Sequence, residues 1–146
     1  MPLLSFTVFK EKILDGSKTQ TIRKMRKHPI KMGDKLYLYW HCRQKDCEKI
    51  GVSVCTDVCT VRIDQTYWLG KQRLQISLFD EQTQDKNGWI NLWNPLSPTL
   101  INDISRKDGF DSEDDMLKWF SKTHTLPEVF QLIRWKPLIQ FRGKEQ

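Results

Sequence analysis

The segment from residue 35 to residue 79 constrains the fold most, because it is a succession of short β-prone runs separated by turns. The runs are KLYLYWHC (35–42), KIGVSVCTDV (49–58), CTVRIDQTYWL (59–69) and RLQISLF (73–79). The RQKDCE loop and the Gly70-Lys71 turn are typical of connections between antiparallel strands. The segment therefore predicts an antiparallel sheet.

The rest of the chain adds strands and short helices. Residues 3–9 (LLSFTVF) and 130–141 predict strands, the latter with a bend or an edge at Pro137, and residues 19–22 can be extended. Helices are predicted as a turn that ends at Gly16, a short helix over 100–105 and a firmer one over 113–124 capped by Asp111 or Ser112. Residues 80–99 are expected to be a long irregular surface insertion. We expect an α+β fold, a small twisted β-barrel of five to six mostly antiparallel strands with two to three short helices.

The length of 146 residues fits one domain over 1–146, with residues 142–146 as a tail. No run of about 18 apolar residues is present, so we expect no membrane-spanning helix and no membrane partner. The first residues, MPLLSFTVFKEK, do not have the pattern of a signal peptide. A cytoplasmic location is the expectation.

The net charge of +6 favours an anionic partner, with nucleic acid first. A solvated basic surface without a partner is the alternative. No acidic residue lies between Asp15 and Asp34, whereas basic residues are concentrated in and just after this stretch: Lys18, Arg23, Lys24, Arg26, Lys27, Lys31 and Lys35. One face or loop should therefore be strongly positive.

Four cysteines bear on metal binding: Cys42, Cys47, Cys55 and Cys59. Their Cys-x4-Cys and Cys-x3-Cys spacings are looser than the pairs of a zinc knuckle. We expect buried or half-buried free thiols, no metal and no cofactor.

The strongest local signal for chemistry is the segment GSKTQTIR, residues 16–23. On an extended segment Thr19, Thr21 and Arg23 share one face, and Lys18 sits on the turn before it. Hydroxyl, ammonium and guanidinium groups so close together suit a phosphate or a carbonyl. The alternative is an exposed edge strand with ordinary charges.

This segment resembles the signature of the ASCH (activating signal cointegrator homology) family, a Gly-x-Lys-Thr-x-Thr-Ile-Arg loop. Further motifs of the family follow in the same order along this chain. They are Gly33-Asp34 before LYLYW, RQKDCEKIG (43–51), Asp108-Gly109-Phe110 and LIRW (132–135). The resemblance covers about residues 4–136, with residues 80–98 as a probable insertion. It implies a fold similar to the PUA domain and RNA binding in a cleft lined by the GSKTQTIR loop. Two branches of the family are enzymes, one an amidohydrolase acting on N4-acetylcytidine and the other a ribonuclease.

Carried over to this chain, the catalytic residues of the amidohydrolase branch fall on Lys18, Thr21 and, less securely, Asp108. The resemblance then implies that Thr21 attacks an amide carbonyl while Lys18 accepts its proton, which requires burial or nearby cations to lower the lysine pKa. Asp108 stands where that branch has a glutamate, and the shorter side chain puts this role in doubt. A cap or loop anchor is the alternative role for Asp108.

RNA binding is expected to use a positive rim and stacking surfaces. The rim would comprise Arg23, Arg26 and Lys27 with Arg43 and Lys45 of the hairpin. Trp89 and Trp93, in the polar 80–98 stretch, are the candidates for stacking on bases. Trp119 and Trp135 are expected to pack inward, and the three histidines are interpreted as surface or structural residues.

Three functions stay open at this point. The first is an RNA- or nucleotide-binding domain, and the second is an enzyme acting on that ligand. The third is a protein-interaction module that uses the basic face.

Overall fold

A computed structural model describes residues 3–138 of the chain, except for the side chains of residues 68, 80–85 and 89–92. This part of the chain forms seven β-strands and three α-helices. In chain order they are β1 (Leu3–Phe6), α1 (Lys10–Leu14), β2 (Gln20–Lys24), β3 (Lys35–Trp40), β4 (Glu48–Trp68), β5 (Lys71–Asp85), β6 (Gly88–Pro95), α2 (Pro98–Lys107), α3 (Glu113–Thr123) and β7 (Glu128–Trp135).

The long strand β4 organises the sheet, because three other strands pair with it. One path runs β1-β3-β4-β5-β6, and β7 pairs with both β4 and β2. The β1–β3 pair is parallel and the other pairs are antiparallel, as a mostly antiparallel sheet requires. Within residues 3–138 these pairings do not close into a ring. The α+β class is confirmed, with one strand more than the upper end of the prediction.

Two predicted strands, 49–58 and 59–69, are one continuous strand of 21 residues. Its register against β7 shifts between Cys55 and Asp57. Such a bulge bends a strand and increases its twist without ending it. One strand can therefore pair with β3 over its first part and with β7 and β5 further along.

The prediction of an irregular insertion over 80–99 was wrong. β5 continues to Asp85, and β6 returns antiparallel to it after a turn at Lys86 and Asn87. The Asn87-Gly88 dipeptide is a strong hairpin signal, and GWINLW is rich in the aromatic and β-branched residues that favour strands. The pairing of each strand with its neighbour supplies the backbone hydrogen bonds that an irregular loop would lack.

Serine side chains cap the N-termini of α2 and α3, whereas α1 begins after Phe9 without a side-chain cap. Ser97 accepts a hydrogen bond from Leu100 N at 3.3 Å, so α2 starts earlier and ends later than the predicted 100–105. Ser112 caps α3 in the same way through Asp115 N at 3.2 Å, as predicted. None of the helices in residues 3–138 is long and apolar enough to cross a membrane.

Strand β7 lies between two hydrophobic cores. Phe130 and Leu132 pack in the core formed with β4, β5, α2 and α3. Ile133 and Trp135 pack in the second core with β1, α1 and β3. Because both faces of the strand are covered, its four successive residues 130–133 are all buried, and the strand ends at Trp135, before Pro137. Residues 139–141 of the predicted last strand, and the tail 142–146, lie outside the described residues.

Phe9, just before α1, is packed against the junction between α2 and α3. Its ring meets the Phe110 ring edge-on, with centroids 5.0 Å apart. Gly109 has a φ of +109°, and a Cβ added there would lie 2.8 Å from the Phe9 ring. Gly109 is therefore required both by its backbone conformation and by the closeness of Phe9.

Replacing Gly109 with alanine should destabilise the protein by roughly 3 kcal/mol, since strain at positive φ and overpacking each cost about 1–2 kcal/mol. Gly70 provides the matched control, because its φ is +76° but nothing lies within 4 Å of an added Cβ. Gly70→Ala should lose only about 1 kcal/mol. Urea unfolding of both variants measures the difference, and equal losses would show that the Phe9 contact is unimportant.

Candidate functional site

A pocket of about 290 Å³ opens where β1, β2 and the α2–α3 junction meet. We call it the central pocket. It is lined by Ser5, Phe6, Thr7, Val8, Phe9, Lys18, Thr21, Ile22, Arg23, Lys24, Asp108, Phe110, Trp119, Phe120 and His124. Three sequence-predicted catalytic residues, Lys18, Thr21 and Asp108, thus lie in one cavity.

Lys18 and Asp108 form a buried ion pair in this pocket. Their side chains are only 3% and 8% exposed, and Lys18 Nζ lies 3.6 Å from Asp108 Oδ2. The ammonium also donates a hydrogen bond to the Asp108 carbonyl oxygen. Asp108 occupies the C-cap of α2, rather than a position that caps the following helix. Asp108 can therefore anchor the loop, the alternative role considered for it, and also line the pocket.

The sequence placed Lys18 on a turn at the mouth of the cleft, but the structure buries it. Its backbone N donates to Lys12 O at 2.9 Å, which turns the chain after α1 and directs the side chain inward. The Phe6 and Phe9 rings lie 5.7 and 5.6 Å from the ammonium. Aromatic faces attract a cation, so these rings and Asp108 compensate part of the lost hydration.

Burial changes the protonation of both partners. Loss of hydration lowers the pKa of Lys18 to about 8, against the opposing effect of Asp108 and with a smaller contribution from Arg23. Burial raises the pKa of Asp108, although the Lys18 charge opposes this. Lys18 can consequently lose its proton in mildly basic solution.

Arg23 combines a structural role with its place in the pocket. Its Nε donates to Thr21 Oγ1 at 3.0 Å and its Nη2 donates to the Ser5 carbonyl oxygen at 2.7 Å. Its guanidinium carbon lies 4.6 Å from the centre of the Phe6 ring. These contacts fix the Thr21 hydroxyl and tie β2 to β1. Burial lowers the pKa of Arg23 to about 10, which leaves the side chain charged at neutral pH.

Aromatic rings form much of the remaining lining, and sequence reasoning did not identify this role. They are Phe6, Phe9, Phe110, Trp119, Phe120 and His124. Trp119 is half-buried and lines the pocket, whereas it was expected to be simply internal. His124 was interpreted as surface or structural, but it also contributes to the lining, where its ring stacks on Phe120 at 5.4 Å.

Residues predicted for the basic rim are not gathered at the pocket. Arg26 donates to the Leu3 carbonyl oxygen at 2.6 Å, and Lys27 is exposed. Arg43 and Lys45 are exposed on the β3–β4 loop, and neither lines the pocket. Thr19 is also outside the lining, although it was expected to share a face with Thr21 and Arg23, because β2 begins only at Gln20 and strand alternation does not extend to Thr19. Of this group only Arg23 reaches the cavity.

The two predicted stacking tryptophans are not part of the central pocket either. The side chain of Trp89 lies outside the described residues. Trp93 packs edge-on against Phe79 at 5.6 Å, and the Arg62 guanidinium lies 5.2 Å from its ring. Trp135 is 2% exposed, as expected for an internal residue.

The four cysteines are free thiols. Cys55 is buried and Cys42 and Cys59 are half-buried, but Cys47 is exposed, contrary to the prediction for this position. Among the side chains described, no three metal-ligating groups converge.

The Lys18 side chain should titrate near pH 8, more than two pH units below the ordinary lysine value of about 10.4. Asp108→Asn should lower this pKa further, because the carboxylate stabilises the charged ammonium. Since folding lowers the pKa, the unfolded chain binds more protons between pH 8 and 10.5. This effect should raise the free energy of unfolding through that window, by up to roughly 3 kcal/mol. Side-chain NMR of labelled lysines measures the titration, and an ordinary value would contradict the burial of a charged Lys18.

No family model, curated protein or solved structure matches this chain. The resemblance to the ASCH family therefore rests on the sequence motifs alone. The chemistry of the site has to be argued from its own residues, which combine a buried ion pair, a fixed hydroxyl and aromatic walls in one small cavity.

Proposed function

We propose that the central pocket binds the base of a nucleoside or nucleotide, either free or as an unpaired residue of RNA. The observation that carries this proposal is the convergence of Lys18, Thr21 and Asp108 with aromatic rings in one partly enclosed cavity. Flat heteroaromatic ligands need both features, since their faces stack on rings and their edges form hydrogen bonds.

The size of the pocket supports a small ligand. Its volume of about 290 Å³ is at the lower end of the range for ligand pockets. A single base with part of its sugar suits such a space better than a folded protein segment. A concave and enclosed site also argues against the protein-interaction module, which would require an accessible docking face.

The surroundings suit a ligand that carries phosphate. Lys24, the last residue of β2, lines the pocket and is exposed, and Lys27 follows in the loop after that strand. The position of Lys18, Thr21 and Arg23 in the GSKTQTIR segment agrees with an ASCH domain with a PUA-like barrel, which we propose as the family and fold. RNA binding through this surface should weaken as salt concentration rises.

Lys18→Met should weaken nucleoside binding at least tenfold, because it removes the ammonium while keeping an unbranched side chain. The matched control is Lys27→Met, which removes an exposed lysine that does not line the pocket. It should leave nucleoside affinity within about twofold. Isothermal titration calorimetry with the common nucleosides and with short single-stranded RNAs provides the measurement.

Circular dichroism melting checks that both variants are folded. If Lys18→Met does not fold, Thr21→Val serves as the second pocket variant. The proposal fails if the wild-type protein binds neither nucleosides nor RNA. It also fails if both pocket variants fold and bind as tightly as the wild type.

A second candidate is the amidohydrolase suggested by the resemblance. It is favoured by the lowered pKa of Lys18 and by the hydrogen bond from Arg23 to Thr21 Oγ1, which stabilises negative charge on that oxygen. Thr21 Oγ1 would form a bond to the acetyl carbonyl carbon while neutral Lys18 accepts its proton. The lysine would then return the proton to the departing amine of cytidine, and water would release acetate from the threonine ester.

Turnover of N4-acetylcytidine should yield cytidine and acetate, and Thr21→Val should abolish it. Because the base is neutral Lys18, the rate should rise between pH 7 and 8 and level off above the lysine pKa of about 8. Chromatography of the products gives the measurement, and cleaved RNA in a parallel assay would indicate the ribonuclease instead. Absence of both products in the wild type would exclude both enzyme hypotheses and leave binding as the function.

A further inference from the structure

We infer that Asp108 Oδ1 and the Lys18 ammonium together read the Watson–Crick edge of the bound base, with Oδ1 accepting an N–H and Lys18 donating to the adjacent acceptor. This inference rests on the proposed function, since it assumes that the pocket holds a base. It goes further because it states which edge is recognised and therefore restricts a pyrimidine ligand to bases outside a duplex.

The first observation is an acceptor without a partner. Asp108 Oδ1 is buried and has no hydrogen-bond partner within the described part of the chain, since the Gln20 amide, whose nearness helps to lower the pKa of Asp108, donates to the Ile104 carbonyl oxygen at 2.9 Å. A buried carboxylate oxygen left in this state is costly, and native proteins rarely leave one without a donor. Because Asp108 lines the pocket, a ligand N–H group is a suitable donor.

The second observation is the donor capacity of Lys18. An ammonium has three N–H groups. One is used by the Asp108 carbonyl oxygen, and the Asp108 Oδ2 atom lies 3.6 Å away. Donor capacity therefore remains on a side chain that lines the cavity.

These two groups belong to one ion pair, so a donor and an acceptor lie side by side on the protein. The matching ligand feature is an N–H next to a carbonyl oxygen or an unprotonated ring nitrogen. In the pyrimidines this arrangement occurs only on the Watson–Crick edge, as N3–H beside O4 in uracil or the exocyclic amine beside N3 in cytosine. The purines also present it on another edge, as N6–H beside N7 in adenine and N2–H beside N3 in guanine. The Watson–Crick edge is occupied in a base pair, which is why a paired pyrimidine would not bind.

The test compares nucleosides with derivatives that lack the Watson–Crick N–H donor. The pairs are uridine with 3-methyluridine, cytidine with N4,N4-dimethylcytidine, adenosine with N6,N6-dimethyladenosine and inosine with 1-methylinosine. For every nucleoside that binds, calorimetry should show at least a tenfold loss of affinity on removal of the donor. The matched controls, 5-methyluridine and 5-methylcytidine, carry the added methyl group away from this edge and should lose less than threefold.

Asp108→Asn tests the assigned residue. The asparagine amide has one acceptor oxygen where the carboxylate has two, so the variant can no longer accept the ligand N–H as well. The loss of affinity caused by methylating that N–H should therefore be several-fold smaller in Asp108→Asn than in the wild type. If the variant does not fold, the comparison of nucleosides on the wild type decides alone. Equal affinity for both members of a binding pair would overturn the inference and leave the proposed function intact. Failure of every nucleoside and RNA to bind would overturn both.

Discussion

The buried ion pair between Lys18 and Asp108 is the interaction on which the site depends. It connects the residue that precedes β2 with the C-cap of α2, 90 positions later in the chain. Loss of one partner from such a pair leaves an uncompensated charge and typically costs 3–5 kcal/mol. Lys12 donates to the next carbonyl, that of Gly109, so two lysines hold the α2–α3 junction against the start of the chain. These contacts hold the polar groups of the central pocket in place.

Two arginines of the basic stretch between Asp15 and Lys35 use their charge to stabilise the fold, a role that needs no partner. Arg23 and Arg26 donate to the Ser5 and Leu3 carbonyl oxygens, which lie along β1. Each arginine satisfies a backbone acceptor on that strand. Net charge and its clustering therefore overstate the basic surface that remains for nucleic acid. Lys27 of the same segment is exposed and retains that capacity, whereas Lys24 is exposed but pairs with Glu128 at 3.3 Å, and Lys18 is buried.

The sequence predicted part of the fold and the polar half of the site. Residues 18, 21 and 23 lie within one short motif, so local spacing and the resemblance together were sufficient to group them. The aromatic lining could not be predicted, because it joins Phe6 and Phe9 to Trp119 and His124 through packing between distant elements. Burial of Lys18 was missed for a related reason, since a lysine on a turn is usually exposed. The β5–β6 hairpin did have a local signal, the Asn87-Gly88 turn, which was outweighed by the many polar residues around it.

The position of β7 between two cores has a consequence for the order of assembly. Thr21 lies opposite Ile133 in the β2–β7 pair, more than a hundred residues further along the chain. On the ribosome, β2 has to wait for this partner, because β7 is synthesised more than a hundred residues later and the pairing must then close that intervening loop. The central pocket is therefore completed late in synthesis, and a nascent chain that stops before residue 128 has no strand to hold Thr21 in place.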